Sequence, residues 1–175
     1  MDLSDVSRRD SRFYQELENL LVDSGQDPEV RFEGWNYLKV DYEFPHVERL
    51  WKQYEDGRLF LHRLLPIPEG EQPLYHPHPW SSWVVIVKGS YYMDVGTRTR
   101  VLARGIVCSK GGGYVMEDPE GWHSVSPRVP TLSIMWAGGL YENPEEFEKP
   151  ENPGIRLPMS DPQVQGYLKV WRDLV

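Results

Sequence analysis

Between residues 58 and 136 the apolar pattern of this chain has a period of two and is broken at short intervals by Gly, Pro or Asp. Alternation of that kind turns one face of an extended strand toward a core, and the interruptions are turns. The segments Arg58–Ile67, Ser82–Lys88, Tyr91–Val95, Thr99–Ala103, Gly112–Glu117, Trp122–Ser126 and Thr131–Trp136 are predicted strands, with Arg31–Val40 ahead of them. Val84-Val85-Ile86-Val87 is apolar on both faces, as a central strand is. About eight short strands in about a hundred residues imply a mainly β sandwich or barrel.

Helical periodicity is expected outside that region and once within its approach. Phe13, Leu17, Leu20 and Leu21 form one stripe ending at Ser24-Gly25. Pro45 to Tyr54 fits a second helix, with Val47, Leu50, Trp51 and Tyr54 on one face and Asp56-Gly57 as its stop. The third has Asp161 as cap, Pro162 at its first position, and Val164, Tyr167, Leu168, Trp171 and Leu174 on one face. Between Glu142 and Pro162 prolines and acidic residues displace apolar ones, as in an extended surface segment.

The 175 residues (20.5 kDa) suit one domain with a core large enough to need no disulfides. The single cysteine, Cys108, forbids an intrachain disulfide, and a reducing, cytoplasmic setting is expected. A net charge of −8 opposes nucleic-acid binding, and the hairpin-tip pair Arg98 and Arg100 is too small a basic patch to reverse that. No apolar run has the length of a membrane helix, and the first residues lack the apolar stretch of a signal peptide. Gly111-Gly112-Gly113 lacks the Gly-Lys-Ser/Thr order of a phosphate loop and is a turn.

Three of five histidines are placed informatively. His76 and His78, two apart, project to one face of a strand, and neutral imidazoles so placed make two arms of a metal site. A third arm has to come from another strand, and His123 is the candidate. A His-x-His pair alone is a weak signal, since such pairs often only hydrogen-bond.

The residues flanking these histidines resemble the two motifs of the cupin superfamily. Gly70-x5-His76-x-His78-x3-Ser82-x6-Gly89 matches the first at every anchor but its glutamate, which Ser82 replaces. Gly113-x5-Pro119-x-Gly121 matches the second, with His123 one residue early and Pro127 in place of Asn. The resemblance implies a double-stranded β-helix, or jelly-roll barrel, over 58–139. It is preceded by a helical extension and leading strand (1–57) and followed by the proline-rich segment and a helix packed on the barrel (140–175). It also implies a divalent transition metal held by His76, His78 and His123. Fe(II) suits neutral three-nitrogen coordination with positions open to water, substrate or O2, while Zn, Ni, Cu and Mn stay open. Glu117 or Asp118 is a side candidate for a fourth ligand.

The lost carboxylate is similar to that of thiol and diketone dioxygenases within the superfamily. The implied activity is a mononuclear non-haem iron oxygenase acting on a small carboxylate- or thiol-bearing substrate. A non-catalytic binding or sensory cupin, or a sugar isomerase or epimerase, is the alternative. Thiol dioxygenases hold a substrate carboxylate with an early-strand arginine, and Arg63 is the similar residue here. Only one of His62 and Arg63 can point into the barrel, because their parity differs. Trp80 and Ser82 share the parity of His76 and His78, and Tyr75 adjoins them, so Arg63, Trp80, Tyr75 and Ser82 are the candidate substrate contacts. The expected partner is a small molecule, neither nucleic acid nor membrane. Analogy with cupins that pair by edge strands suggests a homodimer.

Overall fold

A computed structural model describes residues 33–142 and 154–173. Two compact units are distinguished, Asn36–Arg156 and a second built from Met1–Trp35 with Leu157–Val175. The stripe at Phe13–Leu21 and most of the 142–162 segment lie outside the described residues.

The described chain is mainly β. Its strands are β1 (Trp35–Val40), β2 (Val47–Tyr54), β3 (Gly57–Leu64), β4 (His76–Pro77), β5 (Trp80–Lys88), β6 (Ser90–Thr97), β7 (Arg100–Ser109), β8 (Gly113–Met116), β9 (Trp122–Pro127), β10 (Thr131–Leu140) and β11 (Ile155–Leu157). They form a seven-stranded sheet in the order β11-β1-β2-β3-β10-β5-β8 and a four-stranded sheet in the order β4-β9-β6-β7. The ladders joining β2, β3, β10, β5 and β8, and those of the smaller sheet, are antiparallel. One cluster of buried residues joins the sheets: Phe60, Leu64, Val84, Ile86, Met135 and Ala137 from the larger, Tyr91, Met93, Cys108 and Val125 from the smaller. The expected closed barrel is not formed. Among the described residues the sheets share no hydrogen-bonded edge. Their terminal strands include β8, of four residues, and β4, of two, where Pro77 has no N–H to extend a ladder.

The predicted helix over Pro45–Tyr54 is strand β2. It forms a hairpin with β3, pairing Tyr54 with Gly57 around Glu55-Asp56. The apolar stripe at helical spacing misleads because two charged residues within it are not solvent-facing. Glu48 is buried on one face beside Leu50, while Arg49 lines a cavity on the other. Strand alternation was therefore hidden by charge. At Gly57 a Cβ would run into the carbonyl oxygen of Ala137 on β10, so the β2–β3 turn tolerates no side chain there. On β3 the same alternation sends Phe60, His62 and Leu64 one way, with Leu59, Leu61 and Arg63 the other.

In the second unit, helix α1 (Pro162–Arg172) starts as its sequence dictates. The Asp161 side chain accepts from the Gln163 N–H, Pro162 needs no partner at the first turn, and Val164, Tyr167, Leu168 and Trp171 are buried. Among the described residues no helix is long and apolar enough to cross a membrane.

Candidate metal centre

The three histidines meet for reasons of register. His76 on β4 lies directly opposite His123 on β9, and residues so paired in an antiparallel ladder project to the same side. His78, just past the end of β4, brings its ring to the same place. The ring centroids are 4.8–5.0 Å apart, and one nitrogen from each falls within 4.8 Å of the others.

Their protonation suits an ion. Burial is the first cause lowering the pKa of all three: His76 is lowered, His78 is held well below its usual value, and His123 is pushed down to about 3. Neighbouring imidazoles add to the effect on His78 and His123. Each ring is therefore neutral near pH 7, the form that donates a lone pair. Nδ1 of His76 faces the Leu74 carbonyl at 3.3 Å, and an N–H there puts the ring's lone pair on Nε2. Nε2 of His78 and Nε2 of His123 approach to 2.8 Å. Two nitrogens each ~2.1 Å from a shared ion, and at right angles about it, lie ~3 Å apart. The donor set fits a first-row divalent metal.

The histidines line a cavity of about 150 Å³ within the larger unit. Val84, Met116, Val125 and Met135 supply its apolar wall. Tyr91 and Tyr114 also line it, their hydroxyls 2.6 Å apart, and burial raises both phenol pKa values. A polar rung crosses three strands: Arg49 on β2 pairs with His62 on β3, which pairs with Ser133 on β10, and all three line the cavity. Burial, then the charge of Arg49, pushes His62 down to about 3.

The other candidates are distributed unevenly. Trp80 lines the cavity, with its ring edge toward His78 at 5.8 Å and Arg58 4.3 Å over its face. Arg63 does not line it. Its Nε donates to Glu48 Oε2 at 2.6 Å, and Nη2 bonds the same oxygen, while the Tyr37 hydroxyl donates to Glu48 Oε1. The parity choice falls to His62. Tyr75 is also outside, its hydroxyl donating to the Thr97 carbonyl at 3.2 Å and its ring beside Trp122. Ser82 is buried between Met116 and Ala137 with its hydroxyl unpartnered, and does not line the cavity. Glu117 and Asp118 are exposed and do not join the three-histidine group; Asp118 accepts from the Glu120 N–H instead. Arg49 and Glu43, both lining the cavity, went unnoticed in the sequence. The signal was Asp56-Gly57, which between two alternating runs marks a hairpin as readily as a helix stop, and as a hairpin turns Arg49 inward.

No protein-family model matches the sequence, and no curated protein matches it. Solved structures do resemble the fold. The Fe(II) form of HppE with the alternative substrate (S)-1-HPP superposes with a TM-score of 0.50 at 12% identity, over 64% of this chain and 58% of that one. Hydroxypropylphosphonic acid epoxidase from S. wedmorenis gives 0.48 at 14%, over 64% and 57%. A DUF1255 protein of unknown function from Acinetobacter sp. ADP1 gives 0.46 at 14%, over 61% and 96%. The chain thus spans under three fifths of the epoxidase's length, and the likeness is one of fold.

Proposed function

We propose that this chain is a metal-dependent cupin, a mononuclear non-haem Fe(II) oxygenase acting on a small polar substrate that bears a carboxylate or a thiol. The observation that carries the reading is the convergence of three neutral, buried imidazoles at the wall of a ligand-sized cavity. The resemblance of the fold to an iron-containing epoxidase supports it as to architecture.

His76, His78 and His123 would hold the ion, and with three neutral donors it would keep its 2+ charge and open positions. When bound, Fe(II) supplies one-electron chemistry and a place for O2 beside the substrate. The chain's own residues do the rest. The apolar wall of Val84, Val125 and Met135 lowers the local polarity on that side, which strengthens charge interactions beside it. The Leu74 carbonyl fixes the ring of His76, and the buried Tyr91–Tyr114 pair keeps its protons at neutral pH and can offer a hydroxyl to a bound ligand. Trp80 supplies a flat side to the cavity.

The test is metal content and O2 consumption of the purified protein, with His76→Ala and His123→Ala beside it. The wild type should hold about one iron per chain after anaerobic loading, as a single three-ligand site requires. Variants that retain the same stoichiometry would show the three-histidine site to be wrong.

A further inference from the structure

Beyond the imidazoles, the cavity carries a guanidinium and a carboxylate that do not satisfy one another. Arg49 and Glu43 both line it. Nε of Arg49 and Oε2 of Glu43 are sealed from solvent and lack a hydrogen-bond partner. Burial is the leading cause lowering the Arg49 pKa and raising that of Glu43, and in each case the other's charge opposes the shift. They are near neighbours in the field of the site but do not close into an ion pair. The adjacent strand positions show the closed alternative: Arg63 places two nitrogens on Glu48. Leaving these two atoms buried and unpartnered is costly, since each loses its water without a compensating hydrogen bond.

We propose that Glu43 and Arg49 form a two-point charge clamp for a small zwitterion, the ammonium on Glu43 and the oxyanion on Arg49. Arg49 lies opposite His62 and lines the same cavity as His76, His78 and His123, so the oxyanion end of the ligand shares that hollow with the histidine cluster. The ammonium is held by a protein carboxylate and needs no ion for its recognition. A cavity of about 150 Å³ has room for a molecule of roughly benzene size, which fits a four-carbon amino acid. This names the substrate class of the oxygenase proposed above and rests on the same cavity being its ligand site.

The experiment titrates full-length protein, both metal-free and anaerobically loaded with Fe(II), with four probes by ligand-observed NMR. The probes are 2-aminobutanoate, 4-aminobutanoate, butanoate and butylamine. At least one zwitterion should bind about tenfold more tightly than either single-charge probe in the metal-free protein. Glu43→Gln should erase its advantage over butanoate, Arg49→Gln its advantage over butylamine, and Arg49→Lys should keep part of it. Circular dichroism of each variant checks that it is folded, and Glu43→Gln, which keeps shape, carries the test if Arg49→Gln is not. Equal binding of butanoate and the zwitterions, or no binding by any probe at about 10 mM, overturns the clamp. A protein that takes no metal yet shows the charge-dependent preference loses the oxygenase reading and keeps the clamp. One that takes iron but does not prefer the zwitterions loses the clamp alone.

Discussion

Arg63→Met separates an arginine that holds the fold from one that reads a ligand. Methionine keeps the apolar stem and removes the guanidinium. Glu48, only 4% exposed, then keeps the hydroxyl of Tyr37 but loses the cation bonded to Oε2. Taking the partner from a fully buried carboxylate costs about 3–5 kcal/mol. The Arg63 side chain is 24% exposed, so water already screens part of the pair and the expected loss is at the lower end, about 3 kcal/mol. With a urea slope of about 1.5 kcal/mol per molar, the unfolding midpoint should fall by about 2 M. Glu48→Gln/Arg63→Met, which removes both charges, should recover at least half of that, because the penalty lies mainly in a buried carboxylate deprived of the Arg63 guanidinium. Metal stoichiometry and probe binding should be unchanged in the single variant. An unaltered urea midpoint together with lost anion binding would refute the reasoning and return Arg63 to the ligand.

Three further outcomes are expected. Imidazoles of His62 and His123 gain a proton near pH 6.5 when unfolded but near 3 when folded, so the unfolded state binds more protons in between and stability falls as pH falls. Urea melts of metal-free protein at pH 7 and pH 5 should differ by about 2 kcal/mol for each of these histidines, and equal stabilities would contradict their burial as neutral rings. Gly57→Ala forces a methyl against the Ala137 carbonyl and should cost about 1–3 kcal/mol; an unchanged melting temperature would mean that the hairpin and β10 are less closely apposed. Ser82→Ala removes a buried, unpartnered hydroxyl and should leave stability equal or higher with metal loading intact. Loss of metal in that variant would give Ser82 a role at the site.

The histidine triad was legible because strand parity and pairing are short-range rules: the two-residue spacing of His76 and His78 keeps their rings together, and two strands suffice to bring in His123. Helix α1 was legible because its cap, proline and apolar stripe agree. The charged part of the cavity was not. Glu48 and Arg49 sit side by side in β2, and adjacent charges look like a solvated helix face until a partner strand assigns one to each side of the sheet. Whether Arg63 or His62 turns inward depended on the same unknown, since only the pairing of β3 with β2 places Glu48 beside Arg63. A buried charge is marked by its partner, and the partners here are 15 residues apart.

The imidazoles of His76 and His123 stand on the four-stranded sheet, whereas the Arg49–His62–Ser133 rung belongs to the seven-stranded one. The residues proposed to hold the ion and those proposed to read the ligand thus stand largely on different sheets, which the shared buried core joins beside the hollow. Under that proposal, substitutions along the rung would re-key the cavity for another guest while leaving His76 and His123 in place on the other sheet. The spectrum of a bound ion would then register each re-keyed variant through the altered charge beside it.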